Sequence, residues 1–314
     1  MWFRVNEEVW LIGPGNIGKD YTKVLLAQGV SFKTIGRSHK PDFPVPVYAG
    51  GLTKFIEAHA GPVPDYAIVA VDESQLLNIT IELMECGIKN ILVEKPAGIS
   101  TKEVTMLYDM SESSGCNLFV AYNRRFYQSV RACKKMIEES KSPVSVTFTF
   151  TEWVHSIPFD WYNEEELQKF FLCNSSHVPD TVFYLIGSPF EMHCQTAGSL
   201  PWHSSASVFS GSGTTTRGIP FSYNANWESA GRWGIEIDIG DKKLILRPLE
   251  KLQVLEKGTL EPSFITLPDE SKDTDFKPGL YEEVRSFLGE QNDLCTIKEQ
   301  LNNFSWYYRI ANYT

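Results

Sequence analysis

Val9-Trp10-Leu11-Ile12-Gly13-Pro14-Gly15-Asn16-Ile17-Gly18 is the stretch on which the rest of the chain is read. Four apolar residues with β-branched ends have the composition of a short buried strand. A glycine turn of the form G-x-G-x-x-G follows at once. Beyond it Tyr21, Val24, Leu25 and Leu26 recur at helical spacing up to Gly29, and residues 30–35 read as a second strand. Strand, glycine turn, helix and strand in succession make a βαβ unit. Each glycine has a physical task in such a turn. Gly13 permits the tight bend, Gly15 lets backbone approach a pyrophosphate, and Gly18 lets the helix pack closely on the strand. The helix N-terminus adds N–H groups and the positive end of a dipole.

Working outward, the alternation continues. Residues 66–71 are a continuous apolar run, as in a strand buried on both faces. Residues 76–85 are helical in pattern, with Gly87 placed to end the helix. Residues 90–93 and 118–122 read as strands, with a helix over 101–113 between them. This rhythm predicts an α/β fold: a Rossmann-type doubly wound parallel sheet over residues 1–122. The rhythm then changes. A helix over 127–139, a strand over 144–151 and a helix within 164–186 are followed by strand-like stretches near 191–197, 204–210, 219–227, 232–239 and 242–247. Gly240-Asp241 joins the last two as a hairpin. Residues 268–277 read as a polar loop, and 281–288 and 298–310 as closing helices. Residues 123–314 are therefore expected to form an α+β domain with a largely antiparallel open sheet.

Composition narrows the function. The chain has 314 residues, 42% hydrophobic and 22% charged, an ordinary globular balance. Its 29 basic and 39 acidic residues give a net charge of −10, concentrated in the second half. That argues against a nucleic-acid partner and against an anionic membrane surface. No apolar run reaches the length of a membrane span, and residues 1–8 have no apolar core of an export signal. Six scattered cysteines without a C-x-x-C pair suit reduced thiols in the cytoplasm, and no metal-ligand spacing is present.

Two further motifs carry chemistry. The second strand ends Ile35-Gly36-Arg37-Ser38, with no acid where an NAD site usually has one for the ribose hydroxyls. Arg37 suits a 2′-phosphate through charge and paired hydrogen bonds, with Ser38 as a second donor. This favours NADP(H), with NAD as the alternative; the bland reading of Arg37 is a solvated surface residue. Glu94-Lys95-Pro96 directly follows a parallel strand, where ligand crevices open. A lysine there stabilises a developing alkoxide or lowers the pKa of a substrate hydroxyl. Alone, the triplet is more often a surface turn.

The triplet does not stand alone. With the glycine turn, Tyr122-Asn123-Arg124-Arg125-Phe126 and His177-Val178-Pro179-Asp180, in that order, the sequence resembles the glucose–fructose oxidoreductase / inositol dehydrogenase / MocA family along essentially its whole length. The resemblance implies catalytic roles for Lys95 and His177. The expected cofactor site is Gly13, Gly15, Asn16, Ile17, Gly18, Arg37, Ser38, Val71, Glu94 and Lys95. Substrate contacts would come from Lys95, Asn123, Arg124, His177 and Asp180. The implied reaction is hydride transfer between a nicotinamide and a carbinol or carbonyl carbon of a sugar, cyclitol or derivative, in a homodimer or homotetramer. Two departures stand out. Cys173 occupies the position four before the histidine where the family commonly has Asp. Val71-Asp72-Glu73-Ser74 replaces a Thr-Pro pair followed by histidine. A cofactor-binding regulator or scaffold, and a reductase of an imine or tetrapyrrole, are the competing readings. His155 is a weaker histidine candidate. Arg131, Lys134 and Lys135 read as a solvated helix face. Trp153, Phe159, Trp161 and Tyr162 could stack on sugars, though packing explains aromatics more often.

Overall fold

The fold comes from a computed structural model, which describes residues 8–59 and 61–313; all but the last of residues 1–8, read above for an export signal, lie outside them. Contacts divide the chain into two compact units. The first takes in the chain up to Asn123 together with Thr274–Leu301, and the second Arg124–Asp273 with Asn302–Thr314.

The first unit begins with β1 (Val9–Ile12), α1 (Asn16–Ala27) and β2 (Phe32–Ile35). It continues through β3 (Val47–Tyr48), α2 (Leu52–Ala58), β4 (Tyr66–Val69), α3 (Glu73–Glu85), β5 (Asn90–Glu94), α4 (Thr101–Ser114) and β6 (Asn117–Ala121). Strands β1 to β6 pair in parallel, in the order β6-β5-β4-β1-β2-β3. The order reverses at β1, so the crevice of a doubly wound sheet opens at its carboxyl end. All four residues of β1 are buried, as are Ala67 to Val69 and Ile91 to Val93. Such apolar runs are what a sheet covered on both faces requires. β3 and α2 have no counterpart in the sequence reading; β3 is two residues long and its pattern is invisible at that length. Trp10 and Phe55 meet edge to face at 5.1 Å, fixing α2 on the sheet. Gly87, at φ +96°, follows α3 in the left-handed conformation expected of a helix end.

The second unit opens with a 3-10 turn over Asn123–Phe126, whose first residue still belongs to the first unit, and α5 (Gln128–Glu139). β7 (Val144–Thr149) alternates buried Val146 and Phe148 with exposed Thr147. The expected helix within 164–186 is three pieces: α6 (Glu164–Gln168), a π turn over Phe171–Ser175, and α7 (His177–Ile186). Asn163 and Glu166 cap α6 reciprocally. Pro179 has no N–H to give to a carbonyl four residues back, so it is tolerated only in a first turn, and α7 starts at His177. β8 (Pro189–Ala197), β9 (Val208–Thr215), β10 (Pro220–Asn226), β11 (Gly234–Ile239), β12 (Lys242–Leu246), β13 (Gln253–Glu256) and β14 (Ser263–Phe264) complete the sheet. Its order is β14-β13-β12-β11-β7-β10-β9-β8, antiparallel except for β7 and β10. The β11–β12 hairpin turns at Gly240 as the sequence predicts. The second strand-like stretch lies over 208–215 rather than 204–210. α5 and α7 pack on one face, over an aromatic core in which Phe150 meets Phe171 at 5.2 Å and Phe183 stacks on Tyr307. The opposite face is polar: Thr147 and Ser222 share a hydrogen bond there, and Lys243 pairs with Glu236.

The remaining elements are α8 (Ser271–Asp275), inside the segment expected to be a loop, α9 (Leu280–Phe287), β15 (Cys295–Thr296) and α10 (Ile297–Ala311). Thr274–Leu301 belongs to the first unit, so the division at residue 122 that the sequence suggests is not the division of contacts. β15 adds an antiparallel edge to β6, α9 packs on α1, and Gln28 donates to the Tyr281 carbonyl.

Candidate active site

The glycine turn lies between β1 and α1. Gly13 has φ +108°, and a Cβ there would sit 2.2 Å from the Ala70 carbonyl oxygen. A Cβ on Gly18 would sit 2.0 Å from the Gly13 carbonyl oxygen, so this residue must be glycine for helix and turn to meet. Gly15 differs: nothing lies within 4 Å of its would-be Cβ, and it is exposed. That open side, with Asn16 exposed and Ile17 half-buried beside it, leaves backbone accessible. α1 has no side-chain cap and no acidic residue in its first turn. Backbone N–H groups and the positive dipole end are therefore left to an anion, and the turn fits the pyrophosphate of a dinucleotide.

Two neighbouring strand ends flank this turn. Arg37 and Ser38 follow β2, both exposed. Val71 and Asp72 follow β4. The Arg37 guanidinium stands 3.8 Å from the Asp72 carboxylate.

At the end of β5, the Lys95–Pro96 peptide is cis. Three contacts fix this turn. Tyr21 of α1 donates from its hydroxyl to Glu94 Oε1 at 3.0 Å. Desolvation raises the Glu94 carboxyl above the usual carboxylate range, opposed by the charge of Lys95. Buried Gln300 donates to the Pro96 carbonyl at 2.9 Å. The Lys95 ammonium lies 3.9 Å from Glu73 Oε1 in the first turn of α3, and both side chains are largely shielded. Asn123, after β6, is buried and donates to the Pro278 carbonyl. The first unit thus gathers the glycine turn, Arg37, Ser38, Val71, Glu94, Lys95 and Asn123 on one edge of its sheet. Sequence reasoning missed Glu73 and Gln300 as partners of this edge. Asp72-Glu73 directly after a strand was the available signal for the first; nothing local pointed to Gln300, some 200 residues from its partner.

In the second unit, His177 is the first residue of α7 and is buried, its ring 6.2 Å from that of Trp233. The Arg124 guanidinium lies 4.7 Å from the same indole. Trp233 thus brings Arg124 and His177 together. Asp180 is engaged otherwise: Arg125 Nε and Nη2 donate to its two oxygens at 2.9 and 2.6 Å, and both residues are buried. Cys173 is fully buried in the π turn. The carboxylate near this segment is Glu152, just beyond β7, which the sequence reading did not single out. Asn174 and Ser175 donate to its Oε1, Trp233 Nε1 donates at 3.1 Å, and Arg232 pairs with its Oε2 at 3.1 Å. Burial raises its pKa, and these four donors oppose the rise. Glu152 therefore ties the residues leading into α7 to the indole beside His177. His155 is exposed and stacks on Trp153, away from these contacts. Lys134 and Lys135 pair with Glu138 and Glu139 along α5. Trp153, Phe159 and Trp161 are exposed, Phe159 also meeting Trp202, whereas half-buried Tyr162 packs against Phe170.

No group of three or more His, Cys, Asp or Glu side chains among the described residues could hold a metal ion. No helix among them is long and apolar enough to cross a membrane.

A parallel sheet reversing at β1, a glycine turn with an open Gly15 and an uncapped helix together define a dinucleotide-binding Rossmann domain. Residues 8–122 match the model of an oxidoreductase family with an NAD-binding Rossmann fold, the glucose–fructose oxidoreductase / inositol dehydrogenase / MocA family. Solved structures share the fold over nearly the whole chain. An oxidoreductase from Agrobacterium radiobacter, in complex with NAD+, L-tartaric acid and magnesium, is 13% identical with a TM-score of 0.77, covering 96% of this chain and 94% of its own. An inositol dehydrogenase homolog from Azotobacter vinelandii, complexed with NADH and myo-inositol, is 14% identical with a TM-score of 0.76, covering 98% and 95%. UDP-N-acetylglucosamine 3-dehydrogenase from Acidithiobacillus ferrooxidans is 13% identical with a TM-score of 0.68, covering 97% and 96%. At these identities the likeness is one of fold. No curated protein matches the chain.

Proposed function

We propose that the protein is an NADP(H)-preferring oxidoreductase acting on a carbinol or carbonyl carbon of a sugar, cyclitol or sugar derivative, nucleotide-linked sugars included. The observation that carries this reading is Lys95, held by Glu73 and the Glu94–Pro96 turn on the same sheet edge as the glycine turn. When bound, the cofactor supplies hydride chemistry at its nicotinamide. The chain supplies the rest. Gly13 to Gly18, with Val71 and Glu94, bind the dinucleotide, and Arg37 and Ser38 hold the 2′-phosphate. Lys95 stabilises the substrate oxygen as charge develops on it. His177 takes the hydroxyl proton in oxidation and returns it in reduction. Asn123 and Arg124 contact substrate, while Asp180 serves to hold Arg125. A sugar or cyclitol substrate is supported by the fold relatives described as an inositol dehydrogenase homolog and a UDP-N-acetylglucosamine 3-dehydrogenase. The protein acts in the cytoplasm as a homodimer or homotetramer, joined through the open sheet face.

The test has two stages. Fluorescence titration with NADPH and NADH should give tighter NADPH binding; tighter NADH binding overturns the reading of Arg37. A panel of sugars, cyclitols and nucleotide sugars then identifies a substrate, on which Lys95→Met should keep cofactor affinity and lower kcat by about 100-fold or more. Unchanged turnover removes Lys95 from catalysis.

A further inference from the structure

We propose that Asp72 is a built-in competitor of the cofactor's 2′-phosphate, and so sets how strongly the protein prefers NADPH over NADH. The inference rests on the reading of Arg37 as the 2′-phosphate ligand and adds the residue that tunes it.

The placement comes from the sheet order. β1 lies between β2 and β4, so the segments after β2 and β4 flank the glycine turn at the end of β1. Arg37 stands on one flank and Asp72 on the other, and their charged groups meet at 3.8 Å across it. Both side chains are more than three-quarters or about three-quarters exposed, at 79% and 75%, so the pair is in water and can open without breaking any packing.

Asp72 also sits where its usual occupation would be different. It is the N-cap residue of α3, the position where an aspartate normally accepts a hydrogen bond from the first-turn N–H groups. Its side chain makes no such bond here. The carboxylate is turned to Arg37 instead of being committed to the helix. An NADP 2′-phosphate carries up to two negative charges and wants the guanidinium that Asp72 holds. Binding then exchanges one anionic partner of Arg37 for another and leaves a carboxylate near the phosphate. NADH, with a hydroxyl at that position, meets neither effect. An exposed ion pair alters an equilibrium by up to about fivefold, so Asp72 moderates the preference without abolishing it.

Asp72→Asn tests this cleanly, because asparagine caps helices as well as aspartate does and α3 keeps its start. Dissociation constants for NADPH and NADH are measured by fluorescence titration of the full chain as wild type, Asp72→Asn, Arg37→Ala and the double variant, at about 0.05 and 0.5 M salt. Asp72→Asn should tighten NADPH about two- to fivefold, leave NADH within about twofold, and lose most of this gain at high salt. In the Arg37→Ala background the same change should have less than half that effect on NADPH. An unchanged NADPH constant in Asp72→Asn overturns the proposal, and so does an equal gain with or without Arg37, which would mean plain repulsion rather than competition for the guanidinium. The underlying reading is judged separately: an NADPH-to-NADH ratio unaltered by Arg37→Ala, or no NADPH binding at all, removes Arg37 as the 2′-phosphate ligand and the competitor with it.

Discussion

Gly13 and Gly15 are two residues apart and are glycines for different reasons. Gly13 holds φ +108° with the Ala70 carbonyl oxygen 2.2 Å from where a Cβ would be, so its lack of a side chain is a requirement of the fold. Gly15 has φ −88°, open to any residue, and nothing near its would-be Cβ. Its lack of a side chain serves whatever approaches from outside. Gly13→Ala should therefore destabilise the protein by about 2 kcal/mol or more, from backbone strain plus the clash. Gly15→Ala should leave urea stability within about 0.5 kcal/mol of wild type and weaken NADH binding at least tenfold. Equal NADH affinity in Gly15→Ala would mean that the turn does not approach the cofactor. The motif was legible because its spacing is short and local. Arg37, Lys95 and His177 were legible for the same reason, each being tied to a strand end or a motif. Glu73, Gln300 and Glu152 were not, because each acts on a residue far away in sequence.

At the scale of elements, the segment from Asn163 to Ile186 carries the largest difference between pattern and structure. The sequence places a helix within 164–186; Pro179 limits where it can run, and the turns before it wind into a π turn with Cys173 inside. The entry into α7 is braced by Glu152, just beyond β7, and by the Arg125–Asp180 pair. That pair is buried on both sides, and removing one partner leaves a charge without compensation. Asp180→Asn should cost about 3–5 kcal/mol in urea unfolding. A substrate ligand would behave otherwise, raising KM with stability unchanged; that outcome would restore Asp180 to the substrate site and remove it as a brace.

At the scale of the whole chain, the first unit's parallel sheet was readable because four of its five longer strands, all but β2, carry a continuous apolar run next to a helix. The return of Thr274–Leu301 to that unit was not. Its strand is two residues long, and α9 looks like any amphipathic helix until its partner α1 is known. A comparable long-range tie in the second unit makes the stability of the protein depend on pH. His203 is buried; its Nδ1 donates to the Ala206 carbonyl at 2.7 Å, and its Nε2 accepts from the Tyr313 hydroxyl at 2.8 Å. That hydroxyl in turn accepts from the Phe171 N–H at the start of the π turn. Three distant segments therefore meet at one neutral imidazole. Burial lowers its pKa to about 4, against 6.5 in the unfolded chain. A base held neutral by the fold stabilises it above the unfolded pKa, and this contribution fades as pH falls from 6.5 towards 4. Between pH 7 and pH 5 the loss from this one residue is about 2 kcal/mol. Urea unfolding of wild type and His203→Gln at both pH values isolates it, since the other titrating groups are common to the two proteins. Their stability gap should be about 2 kcal/mol smaller at pH 5 than at pH 7. A gap that stays constant would mean that His203 titrates normally and is not held neutral by the fold.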